Sequence, residues 1–168
     1  MVPVLSLRLQ FQKTRKENDV SKNRGCKVNE EKIANLLIVD DEQEIREMLS
    51  RHFLFEGFNI FQAEDGLEAL EVLNKQKIDL VISDIVMPRM SGVELLEIIH
   101  KEFPMIRVNM ITGYVTQSHL LQCMQNHADN VIYKPLEDLQ ELEDSVKRSF
   151  ENIQRWKNKL KVLQGMKV

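Results

Sequence analysis

DLVISDIVMPRMSG, residues 79–92, is the stretch from which the rest of the chain can be read. Asp79 to Ser83 form a short, mostly apolar run of the kind buried inside a sheet. Asp84 ends that run, and Met87-Pro88 with Ser91-Gly92 breaks the chain before another apolar stretch. A carboxylate at the end of a buried strand is costly unless something pairs with it. The residues that pair with Asp84 therefore have to be found elsewhere in the sequence.

The same strand–turn–helix unit recurs on both sides. LLIVD (36–40) is a compact apolar run, and EIREMLSRHFLFEG (44–57) puts Ile45, Met48, Leu49 and Phe53 on one helical face. NIFQA (59–63) is strand-like, and GLEALEVLNKQ (66–76) is amphipathic through Leu67, Leu70, Val72 and Leu73. After the third strand at 79–84, GVELLEIIHKEF (92–103) reads as the third helix. IRVNMIT (106–112) and NVIYK (130–134) read as strands four and five, with TQSHLLQCMQN (116–126) as the helix between them. Five strands alternating with helices predict an α/β domain with a parallel sheet covered on both faces.

The flanks differ in character. Residues 1–34 carry eight Lys or Arg against four Asp or Glu, and KTRKENDVSKNRG has no apolar periodicity. That segment reads as a disordered or weakly structured basic extension. The alternation of Leu5, Leu7, Leu9 and Phe11 leaves a short strand open. At the other end Leu139, Leu142, Val146, Ile153, Trp156, Leu160 and Leu163 fall at spacings of three and four, with Ser149 the one gap. This is a heptad a/d series, and a helix over 137–163 would be roughly 40 Å long. Residues 35–147 are expected to form the domain, and 148–168 an extension of its last helix able to form a coiled coil.

Composition narrows the class. With 168 residues, 43% hydrophobic and a net charge of −3, the chain suits one domain with a true core and no broad basic field for nucleic acid. Cys26 and Cys123 lie 97 positions apart, without metal-ligand spacing or a disulfide framework. No apolar run approaches the ~18–20 residues that span a bilayer, and no signal peptide is evident, so a cytoplasmic location is expected.

In a sheet of this kind the ligand site lies outside the carboxyl ends of the strands. There the first strand ends in Asp40-Asp41, the third in Asp84, the fourth in Thr112-Gly113 and the fifth in Lys134-Pro135. Each has a plain explanation taken singly. Asp41 with Glu44, and Asp65 with Glu68, fit helix-capping boxes. Taken together, three acids, a hydroxyl and an ammonium converge on one rim. Carboxylates ~5 Å apart repel by about 3 kcal/mol per pair at an effective dielectric of ~20, which asks for a cation or for protonation. Oxygen ligands without His or Cys point to Mg²⁺ or Mn²⁺. A carboxylate beside such a cation, a lysine and a hydroxyl is suited to phosphoryl transfer with Asp84 as the nucleophile.

The chain resembles the receiver domain of two-component response regulators. The resemblance covers about residues 35–147 through LLIVDDE (36–42), SDIVMPRMSG (83–92), ITG (111–113) and YKP (133–135), in that order. It implies a flavodoxin-like, doubly wound five-stranded sheet of order 2-1-3-4-5 with an extended C-terminal helix. It implies that Asp84 accepts a phosphoryl group from a sensor histidine kinase or a phosphotransfer protein. Asp41 would ligate Mg²⁺ directly, Asp40 largely through water, and Asp84 and the backbone carbonyl of Val86 would complete the protein ligands. Thr112 would bond the phosphoryl oxygen, Gly113 would leave it room, and Lys134 would pair with it across a cis Lys134–Pro135 peptide. Ser91 with Glu94 caps the third helix.

The sequence departs from the family pattern at two places, Val131 and Asn109. Val131 stands where the family carries Tyr or Phe, with Tyr133 next to Lys134 instead. Asn109 stands in the fourth strand where an aliphatic residue is usual, and must find a hydrogen bond or weaken the core. Val86 and Tyr114 occupy the two positions that tune hydrolysis in the family, and both should hinder water, so a long-lived phosphorylated state is expected. Val86 also stands where an aspartate-nucleophile phosphatase needs a second acid, which counts against a true enzyme and for a signalling phosphoacceptor. No DNA-binding domain is expected after the last helix. Output is left to dimerisation through 137–163, docking on an unidentified downstream protein, or a relay. A coiled-coil scaffold with a degenerate receiver is the competing reading. His52, His100, His119 and His127 read as surface or core filler.

Overall fold

The structure is a computed structural model that describes residues 34–165, apart from Val115 and Glu137. The basic segment at 1–33 and Cys26 fall outside the described residues. The elements alternate: β1 (Asn35–Val39), α1 (Gln43–Phe55), β2 (Asn59–Ala63), α2 (Gly66–Lys75), β3 (Leu80–Asp84), α3 (Gly92–Glu102), β4 (Arg107–Thr112), α4 (Gln117–Gln125), β5 (Asn130–Tyr133) and α5 (Gln140–Gly165). The five strands form one parallel sheet in the order β2-β1-β3-β4-β5, as expected.

Strand alternation sends side chains to two separate cores. Leu37, Val39, Val81, Val108 and Met110 pack under α2, α3 and α4, joined by Ala69, Leu73, Leu95, Leu96, Ile99 and Cys123. Leu36, Ile38, Leu80, Ile82, Ile111 and Ile132 face α1 and α5, meeting Leu49, Phe53, Leu142, Val146 and Ile153. Each Val, Leu, Ile, Phe or Met among them contributes roughly 1.5–3 kcal/mol by leaving water. Both faces of β3 are filled, which explains why its sequence is a continuous apolar run rather than an alternating one. The reversal in strand order beside β1 and β3 opens a crevice at their carboxyl ends.

Two helix starts differ from expectation. The α1 N-cap is Glu42, with no side-chain cap, rather than Asp41 paired with Glu44. Asp40 Oδ1 accepts the Glu42 N–H at 3.0 Å, so the turn is closed one residue further back and Asp41 stays exposed. The last helix starts at Gln140 rather than 137, because Asp138 Oδ1 accepts the Gln140 N–H at 2.8 Å and turns the chain there. The other two caps form as read: Asp65 accepts the Glu68 N–H at 2.9 Å, and Ser91 with Glu94 makes a full capping box.

Asn109 is buried and faces α5, where the gap in the heptad series, Ser149, stands opposite it. Ser145 donates to Asn109 Oδ1 at 2.5 Å, the Asn109 amide donates to Ser149 at 3.4 Å, and Ser149 in turn donates to Asp129. The two polar exceptions in otherwise apolar series satisfy one another. Contact between α5 and the sheet continues to Ile153, with Lys157 paired to Asp79, beyond the domain boundary placed at residue 147. Trp156, Leu160 and Leu163 lie past the sheet and are exposed.

Candidate functional site

The first two strand-end acids lie in different environments. Asp40, just after β1, is fully buried, whereas Asp41 is exposed and lines the cleft. Asp84, the last residue of β3, is 4% exposed. Its Oδ2 accepts the Val86 N–H at 2.6 Å, which sets the plane of the carboxylate. The loop carrying it is fixed from behind by Gly92. Any Cβ at Gly92 would fall 1.8 Å from the Asp84 carbonyl oxygen, and the Gly92 N–H donates to the Ile85 carbonyl at 3.0 Å. Gly92 is therefore required for the first turn of α3 to pass so close to the end of β3.

Lys134 follows β5, and its peptide bond to Pro135 is cis. Its Nζ lies 2.9 Å from Asp40 Oδ2, 3.1 Å from Asp84 Oδ1 and 2.9 Å from Glu42 Oε1. Burial alone would lower the lysine pKa, but the bonds from Asp40 and Glu42 and the charge of Asp84 hold it above its ordinary value. Burial raises the pKa of Asp40, and the bonds from Lys134 and the Glu42 N–H only partly oppose that. Burial likewise raises that of Asp84, against the charge and hydrogen bond of Lys134 and the Val86 N–H, with Asp40 adding to the rise. One ammonium is thus too little for two desolvated carboxylates.

The Thr112 hydroxyl is engaged by its own loop, donating to the Tyr114 carbonyl at 2.8 Å and accepting the Tyr114 N–H at 3.2 Å. Asp41, Glu42, Asp84, Val86, Thr112, Gly113, Tyr114 and Lys134 line one open cleft of about 250 Å³. Val86 and Tyr114 are solvent-exposed on its lip. None of the four histidines lines it. Val131 packs against the α2–α4 core, while Tyr133 is exposed.

Among the described residues no three Asp, Glu, His or Cys side chains are gathered closely enough to form a metal cluster as they stand. Lys134 occupies the space between Asp40 and Asp84, and Asp41 points to solvent. Such a donor set suits Mg²⁺, which keeps several waters and needs only one or two carboxylates, and does not suit an ion that demands a full protein cage. Two residues of the site escaped the sequence reading. Glu42 is the third acid of the run DDE, and its adjacency to Asp40-Asp41 was the available signal. Gly92 was visible only as part of a turn.

Two buried acids facing one lysine thus sit at the switch point of a doubly wound parallel sheet, and the comparisons give the family to which such a chain belongs. The chain belongs to the response regulator receiver domain family, whose model matches residues 36–147. These domains are signalling phosphoacceptors of two-component systems. The chain is 36% identical over 113 residues to sporulation initiation phosphotransferase F of Bacillus subtilis (strain 168), a match spanning 67% of this chain and 90% of that protein. It is 36% identical over 111 residues to the Regulator of RpoS of Escherichia coli (strain K12), spanning 66% of this chain but only 33% of that protein. Among solved structures, the response regulator TrrA of Thermotoga maritima, in complex with Mg²⁺-BeF, is 35% identical with a TM-score of 0.64, covering 70% of this chain and 99% of that one. A CheY-like receiver domain protein of Methanospirillum hungatei JF-1 has a TM-score of 0.70 at 29% identity, covering 73% and 98%.

Proposed function

We propose that Asp84 is the phosphoacceptor, taking a phosphoryl group from a histidine kinase or phosphotransfer protein, and that the resulting change alters protein contacts. The observation that carries this reading is the Asp84 carboxylate itself: buried, held in plane by the Val86 N–H, and facing Lys134 at the floor of an open cleft. Oδ2 accepts the Val86 N–H and Oδ1 faces the Lys134 ammonium at 3.1 Å, so Oδ1 attacks as Lys134 turns to the incoming phosphoryl oxygens. Oδ1 forms the new P–O bond as the P–N bond of a phosphohistidine breaks, and the imidazole nitrogen keeps the electron pair.

Mg²⁺, with Mn²⁺ the alternative, would be held by Asp41, Asp84, the Val86 carbonyl and, through water, Asp40. Bound there, it would supply charge to neutralise the phosphoryl oxygens. Lys134 pairs with one of those oxygens and so exchanges a carboxylate partner for a phosphoryl one. Thr112 reaches the phosphoryl group only by giving up its two bonds to Tyr114, and that exchange couples the site to the β4–α4 loop. Gly113 leaves clearance beside it. Val86 and Tyr114 on the lip crowd the approach of water, which favours slow hydrolysis.

Solution mass and beryllofluoride binding should be measured with and without Mg²⁺, in the wild type and in Asp84→Asn. Binding by the wild type alone is expected. No binding by the wild type overturns the reading, and hydrolysis of the phosphorylated form within seconds overturns the role given to Val86 and Tyr114.

A further inference from the structure

The far end of α5 is built differently from everything before it. Residues 34–153 carry ten Lys or Arg against twenty-two Asp or Glu, a net charge of −12. Residues 154–168 carry Arg155, Lys157, Lys159, Lys161 and Lys167 and no acid. Along this basic end, Trp156, Leu160 and Leu163 are 52%, 47% and 64% exposed. They continue, in the same three-four spacing, the stripe that Leu142, Val146, Ser149 and Ile153 bury against the sheet.

Because α5 is one unbroken helix from Gln140 to Gly165, the exposed part of the stripe faces the same side as the domain. Lys157 still pairs with Asp79 at the amino edge of the sheet, and the eight residues from Asn158 to Gly165 overhang that edge by about 12 Å. A flat surface laid against the stripe would run into the domain above it, so a planar bilayer does not fit. A parallel coil with a second copy would need the face of Leu142 to Ile153, which the sheet already fills. An antiparallel coil would set lysines of both copies side by side without one acid to separate them, and like charges flanking a seam oppose pairing.

We infer that Gln154 to Gly165 is one half of a heterotypic helical interface, and that its partner is an acidic amphipathic helix of another protein. The partner's apolar face would cover Trp156, Leu160 and Leu163, and its acids would meet Lys159, whose ammonium lies 4.7 Å from the Trp156 ring, with Lys157 on the opposite flank.

Trp156 is the single tryptophan of the chain, so its emission reports directly on this face. The full chain should be titrated with a three-heptad synthetic helix bearing Leu at a and d and Glu at e and g, and with the same helix bearing Lys at e and g. The acidic peptide is expected to blue-shift Trp156, to bind at least about tenfold more tightly than the basic one, and to weaken as salt rises. Leu160→Asp should abolish the shift, and Lys159→Glu should remove the preference for the acidic peptide. Neither change touches the core, and retained beryllofluoride binding would show that the domain is intact. The inference is overturned if neither peptide binds or both bind alike. It is also overturned if the free protein doubles its mass through this face, or if phosphatidylserine vesicles shift Trp156.

Discussion

The domain holds two buried polar clusters that differ in one respect. At the carboxyl rim, Asp40 and Asp84 share Lys134 and remain short of positive charge, so burial raises both carboxyl pKa values. Deeper in the sheet, Asn109 of β4 is bonded to the uncharged Ser145 and Ser149 of α5, and Ser149 donates on to Asp129. A polar cluster that is complete locks two elements in register, whereas one left short of charge is poised for a ligand. The difference is open to test by removing one member from each.

Asp84→Asn should have the largest effect. Labelling by a phosphodonor with Mg²⁺ is expected to fall to nothing, read by mass spectrometry of the intact chain. The same change removes a charge its surroundings disfavour, so the metal-free domain should become more stable in urea unfolding. Loss of stability instead would mean that the rim is satisfied in the same way as the Asn109 cluster.

Asn109→Ala should act the other way round. It strands the Ser145 hydroxyl and leaves a small cavity, so a loss of about 2–4 kcal/mol is expected with labelling of Asp84 intact. A double-mutant cycle with Ser145→Ala should give a coupling of about 1 kcal/mol, and additive losses would show that the hydrogen bond contributes little.

The pH dependence follows from the sign of the rim shifts. Asp40 and Asp84 bind protons more readily folded than unfolded, so the folded state holds more protons and its stability falls as pH rises. The contribution is whole below the unfolded carboxyl pKa of 3.8 and lost as pH passes the higher folded values. Mg²⁺ held as proposed would relieve the ionised pair, so the rise in Tm on adding Mg²⁺ should grow over that same range. A Tm increment independent of pH would remove the rim carboxylates as its source.

The sequence made most of this legible where the signal is local. The alternation of apolar runs and amphipathic stretches located every element to within two or three residues, because burial on two faces leaves that pattern directly. The strand-end residues were legible because one rule of parallel sheets says where to look. Other features depend on distance in the chain. Asn109 and Ser149 each stood out as a polar exception, but their pairing spans 40 residues and no periodicity links them. Asp41 and Glu44 had the spacing of a cap, yet Asp40 took the Glu42 N–H first. The stripe of α5 has one period throughout, so only the position of the sheet edge separates Ile153, buried, from Trp156, exposed.

Glu42 offers the finest test of the contrast. Its carboxylate holds Lys134 at 2.9 Å but is 61% exposed, so water screens most of the attraction. Glu42→Gln should change stability by less than about 0.5 kcal/mol, because Asp40 and Asp84 still hold the ammonium. Beryllofluoride affinity should move by less than about threefold, an energy below ~0.7 kcal/mol. A larger loss would show that Lys134 is positioned from the solvent side, so that the cleft depends on an exposed acid as well as its buried pair. A small effect here beside the full loss in Asp84→Asn would place the chemistry in the desolvated carboxylates alone.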